Sequence, residues 1–100
     1  MKFCATYRIP HENWLPVLKK FSSMTPAERV DTGEGVKLVG RWAAMSSRSG
    51  VAIFESDSLA SVERYIGKWN PYMEIDLAPV LDDEEMATVA KQVIADNAVP

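Results

Sequence analysis

Residues 36–56 read VKLVGRWAAMSSRSGVAIFES. Two runs rich in Val, Leu, Ile, Trp and Phe flank the polar stretch Ser46-Ser47-Arg48-Ser49-Gly50. That is the pattern of a β-hairpin with a five-residue loop ending in Gly. Setting Met45 opposite Val51 places Ala43 against Ile53 and Arg41 against Glu55. Trp42 then faces Phe54 on the other side of the sheet, because successive side chains alternate. This register yields an aromatic pair and an oppositely charged pair together, and a one-residue slip loses both.

Upstream, KFCATYRI (residues 2–9) predicts a strand with Phe3, Ala5 and Tyr7 on one face and Cys4, Thr6 and Arg8 on the other; Pro10 ends it. Trp14, Val17, Leu18 and Phe21 then recur at the spacing of one helix face, with Asn13 as N-cap, Pro16 in the first turn and an end near Ser23. Thr25-Pro26-Ala27-Glu28 is a capping box with Pro at the first helical position. The loop Asp31–Gly35 that follows is longer than the usual crossover and reads as a tolerated insertion rather than a lid.

Downstream of the hairpin, Ser58 or Asp57 caps a helix carrying Leu59, Val62, Ile66 and Trp69; Gly67 weakens its last turn, and Pro71 closes it. MEIDLAPV (residues 73–80) alternates as a fourth strand. Asp82 and Glu85 form a second capping box, opening a last helix with Met86, Val89, Ala90, Val93 and Ile94 on one face. The order is βαββαβ plus a terminal helix: an α+β, ferredoxin-like domain with a four-stranded antiparallel sheet. Residues 1–100 form one domain, with a 1–81 core and an 82–97 C-terminal helix.

Sorting strand residues by parity gives two faces. Phe3, Ala5, Tyr7, Leu38, Gly40, Trp42, Ala52, Phe54, Met73, Ile75 and Leu77 belong under the helices. Cys4, Thr6, Val39, Arg41, Ala43, Val51, Ile53, Glu55, Glu74 and Asp76 form a half-apolar face that needs a cover. A second copy packed sheet to sheet supplies one and encloses a cavity, making the chain a homodimeric α/β barrel. The terminal helix then swaps onto the partner or closes one end.

Composition bounds the rest. The 100 residues are 47% hydrophobic and 25% charged, ordinary globular values. A net charge of −3 argues against a nucleic-acid partner. Cys4 is the sole cysteine, which excludes an internal disulfide, and it reads as a small buried hydrophobe. Residues 1–10 lack the apolar region of a signal peptide, and no run approaches a membrane span, so the expected location is the cytoplasm with no membrane partner. His11, the only histidine, lies in a connecting segment and leaves a metal site poorly supplied. The glycines at 33, 35 and 40 match no phosphate loop, so no cofactor is expected.

The candidate ligand site is Arg41, Glu55, Thr6, Glu74 and Asp76 on the mixed face. Arg41 would hold a ligand carboxylate or carbonyl, and Glu55 would orient Arg41 or accept a proton. The plainer reading of Arg41–Glu55 is a cross-strand surface ion pair worth under ~1 kcal/mol. Tyr7, Tyr65, Trp42 and Trp69 are able to stack on a planar ligand, yet Trp14, Trp42 and Trp69 read more simply as core.

The segments GVKLVGRW (35–42), GVAIFESD (50–57) and APVLDDEE (78–85) resemble a family of short bacterial proteins defined as a domain of unknown function, within the dimeric α/β-barrel (ferredoxin-like) superfamily. The resemblance covers residues 1–85 and is weakest over Met24–Val30. It implies a homodimer. The superfamily includes cofactor-free monooxygenases, isomerase-like and dehalogenating enzymes, haem-handling proteins and binding proteins, so it leaves the chemistry open. The leading expectation is a dimer binding a small, partly apolar molecule between its sheets. One alternative is a cofactor-independent monooxygenase- or isomerase-like enzyme with Glu55 or His11 as base and Arg41 as oxyanion stabiliser. Another is a structural module whose sheet face binds a protein.

Overall fold

Four antiparallel strands, β1 (Lys2–Arg8), β2 (Lys37–Ala44), β3 (Ser49–Glu55) and β4 (Glu74–Val80), hydrogen-bond in the order β2-β3-β1-β4. The computed structural model describes residues 1–98. Helices α1 (Trp14–Ser23), α2 (Pro26–Val30), α3 (Leu59–Trp69) and α4 (Asp83–Asn97) complete it, with single 3₁₀ turns at His11–Asn13 and Met45–Ser47. The arrangement is the ferredoxin-like βαββαβ fold with an extra C-terminal helix. Central β1 pairs Ala5 with Ala52 on one side and Leu77 on the other. The buried core gathers Phe3, Ala5, Ala52 and Phe54 from the sheet with Val62, Tyr65 and Ile66 from α3. Phe54 and Tyr65 meet edge to face, their ring centres 5.5 Å apart. Tyr65 replaces Leu59 in the expected stripe of α3, and Leu59 faces solvent.

The hairpin forms, but not in the expected register. Trp42 pairs with Val51, Arg41 with Ala52 and Gly40 with Ile53. Relative to the expected pairing, β2 is shifted by three residues, and an odd shift turns each side chain to the opposite face. Arg41 and Ala43 therefore move to the helix side of the sheet, Arg41 half-buried and Ala43 exposed, while Gly40 and Trp42 move to the open face. Leu38 keeps its expected place on the covered face, now opposite Phe54, because a bulge between Leu38 and Gly40 restores parity. The cause lies at the loop. Arg48, not Gly50, adopts the left-handed conformation (φ 53°) that closes the turn. Its backbone is tied to Ile9, whose N–H donates to the Arg48 carbonyl at 2.7 Å, while Arg48 Nε donates to the Ile9 carbonyl at 3.2 Å. Gly50 is left inside β3, where a Cβ would strike the Tyr7 hydroxyl.

Local signals held where they were self-contained. Thr25 and Glu28 cap α2 reciprocally, as do Asp82 and Glu85 for α4, and Ser58 Oγ accepts from Ser61 N–H at 3.1 Å to cap α3. Asn13 stands at the expected N-cap position of α1, after a 3₁₀ turn, but its side chain makes no cap bond and its amide donates to the Tyr72 carbonyl at 2.9 Å. Loop 31–35 is pinned. Thr32 is buried and donates to the Val36 carbonyl at 2.7 Å, while Ser56 Oγ donates to the Gly35 carbonyl at 2.6 Å.

No residue of α4 is buried. Met86 and Ile94 are 64% and 69% exposed, and the molecule measures 59 × 29 × 20 Å. Its radius of gyration of 16.9 Å exceeds the roughly 13 Å of a compact 100-residue domain. No helix of the described residues is long and apolar enough to cross a membrane.

Candidate functional site

Between α1, α3 and the covered face of the sheet lies a cavity of about 320 Å³. Its roof is the α1 stripe of Trp14, Val17, Leu18 and Phe21, joined by Ile66 and Trp69 of α3. Its floor is made partly of Ala5, Ala43 and Ala52, whose short side chains leave the space that larger ones would fill. Tyr7 and Met45 also border it. Almost all of this lining is apolar, the usual character of a small-molecule pocket.

Arg41 is the one charged side chain among the described residues that line the cavity. Its Nη2 donates to Tyr65 Oη at 2.9 Å and its Nη1 to the Arg29 carbonyl at 3.0 Å. Two cations approach the Phe21 ring, whose centre is 5.6 Å from the Arg41 guanidinium and 5.2 Å from that of Arg29. Arg29 in turn donates to the carbonyls of Phe21 and Ser22. Helix α2 thus couples the end of α1 to Arg41 and holds the guanidinium at the cavity wall. Burial pushes the Tyr7 phenol above its ordinary range, partly opposed by the positive charge of Arg41.

The five residues expected to share one face do not. Arg41 is under the helices, and Glu55 is on the open face, directly across from Lys37 and Lys2. Their expected pairing is thereby overturned by the three-residue shift. Thr6, Glu74 and Asp76 do converge on the open face around a shallow hollow of about 180 Å³ shared with Arg8. There Arg8 and Glu74 form an exposed cross-strand ion pair at 3.0 Å. Glu55 sits at the other end of the strands, four residues along β3 from Val51, the partner of Thr6. Neither Glu55 nor His11 borders the large cavity. Among the described residues no group of three or more His, Cys, Asp or Glu is placed to hold a metal. Cys4 is half-buried on the open face rather than in the core.

Trp69 borders the cavity, as does Trp14, whereas Trp42 is 62% exposed on the far face, its ring folded over Gly40. Reading the α1 stripe as plain core missed the cavity, because a helix face looks the same in sequence whether it packs tightly or roofs a void. The available signal was Ala5 and Ala52, two small residues at inward positions of neighbouring strands; Ala43 joins them only in the observed register.

The protein family described as Domain of unknown function (DUF3303) matches residues 1–94. No curated protein matches the chain.

Proposed function

The chain belongs to the Domain of unknown function (DUF3303) family, and we propose that it is a homodimer in which each subunit binds a small, largely apolar molecule between its helices and its sheet. The observation that carries the binding role is the apolar cavity of about 320 Å³ with a single cationic group on its wall. The ligand site is moved from the expected sheet–sheet interface to the helix side, since Arg41 faces that way. Supporting the homodimer are the uncovered sheet face, carrying Trp42, Val39 and Ile53, and a terminal helix with no buried residue. Sheet-to-sheet pairing of this kind is the assembly of the dimeric α/β-barrel superfamily, to which we assign the chain.

Binding is favoured over catalysis because the bases considered for an enzyme, Glu55 and His11, stand away from the cavity. A binder needs shape and one or two polar anchors, and both are in place. The test is titration with N-phenyl-1-naphthylamine, a neutral apolar fluorophore. Saturable uptake of one molecule per chain, with energy transfer from Trp14 and Trp69, is the expected result. Ile75→Trp, which fills the cavity, weakens uptake without unfolding the protein. A linear, non-saturating response in the unaltered protein rules the site out.

A further inference from the structure

We infer that the natural ligand is a monocarboxylate with an apolar body, its carboxylate paired with Arg41. This rests on the reading of the helix-side cavity as a binding site and specifies what enters it. Arg41 carries a full positive charge at every physiological pH, and the groups that satisfy it are both neutral: the Tyr65 hydroxyl and the Arg29 carbonyl. The ion pairs found among the described residues, Lys2–Asp82 and Arg8–Glu74, lie elsewhere. Arg41 is half-buried and faces an apolar lining with no counter-ion among the described residues, so a bound anion that displaces the remaining water gains a charge-assisted pair in a less polar setting.

The geometry narrows the anion. Arg41 has five N–H donors, of which two are engaged within the protein, leaving donors for an incoming planar group. The Tyr7 hydroxyl borders the same cavity and, as a phenol, is an O–H donor for a second oxygen at neutral pH. One cation and one phenol suit a singly charged carboxylate. A phosphate ester asks for more charge and more donors than the described lining supplies. A cationic ligand meets repulsion, and a neutral one leaves Arg41 uncompensated. The rest of the lining, with Trp14, Leu18, Phe21 and Ile75 among it, offers only dispersion and hydrophobic contact, which sets the apolar body.

The test is isothermal titration calorimetry of the full-length protein with octanoate and with octan-1-ol, which share a chain and differ in the charged head. The expected result is octanoate binding at least tenfold more tightly than octan-1-ol. In Arg41→Met that preference collapses to within about twofold, octan-1-ol affinity being retained, while Arg41→Lys keeps part of it. Equal affinities in the unaltered protein overturn the carboxylate inference and leave the cavity as a neutral apolar site. If neither compound binds and N-phenyl-1-naphthylamine also fails, the binding site itself is overturned. Should Arg41→Met fail to fold, the octanoate-to-octan-1-ol ratio in the unaltered protein decides alone.

Discussion

Phe54 is 1% exposed, at the centre of the sheet–α3 cluster. Truncating it deletes a full aromatic ring from a site that cannot collapse onto the space, since the strand holding it is hydrogen-bonded on both edges. Phe54→Ala is therefore expected to cost about 3–5 kcal/mol in urea denaturation; a loss under ~1 kcal/mol would mean the cluster repacks freely. Tyr7 makes a different kind of prediction. Its folded form holds the phenolic proton more tightly than the unfolded chain does, because burial disfavours the phenolate. Stability from this group is whole below the ordinary tyrosine range near pH 10 and declines as pH rises through the raised folded value. Replacing Tyr7 with Phe should flatten that alkaline decline, and Arg41→Met should push the Tyr7 titration higher still by removing the charge that lowers it. Absorbance titration of the phenolate checks both.

Among the elements, what was legible follows from how local each signal is. A capping box involves one turn of chain, so Thr25, Ser58 and Asp82 were readable without knowing the fold. The order βαββαβ was readable for the same reason: strand alternation and helix stripes are internal to each segment. Hairpin register is not internal. It depended on which residue would take positive φ, and Arg48, which does, is tied by two hydrogen bonds to Ile9, just past the end of β1. The candidate site inherited that error, because the face of Arg41 follows from register alone. Two element-scale tests separate these cases. Ser58→Ala should cost about 1 kcal/mol by loss of the α3 cap, read as a lowered denaturation midpoint with an unchanged slope. Gly50→Val should be far worse than its high strand propensity suggests, since the added carbons meet Tyr7; a gain in melting temperature would contradict the placement of Gly50 inside β3.

At the scale of the whole molecule, two apolar surfaces lack partners: the open sheet face and the α4 stripe of Met86, Val89, Val93 and Ile94. Four strands ~4.8 Å apart and seven residues long present roughly 440 Å² in projection, and fifteen helical residues add a face of about 220 Å². A stable dimer buries about 800 Å² of accessible surface per partner. The sheet alone falls short of this. Sheet and helix together come near it once side-chain relief is counted. Helix α4 follows the edge strand β4 and does not close over its own sheet, since none of its residues is buried and the molecule is 59 Å long. Reciprocal docking of two copies, each α4 flanking the partner's sheet, satisfies both surfaces with one two-fold operation. Sedimentation equilibrium at micromolar concentration should accordingly give twice the chain mass. Trp42→Glu places a charge on the open sheet face, and Val93→Glu places one on the helix; each should yield a folded protein at single-chain mass. A dimer lost in Trp42→Glu but intact in Val93→Glu would confine the interface to the sheets, and a single-chain mass for the unaltered protein would remove the homodimer. Ligand uptake should survive in the monomeric variants, because neither Trp42 nor Val93 lines the cavity.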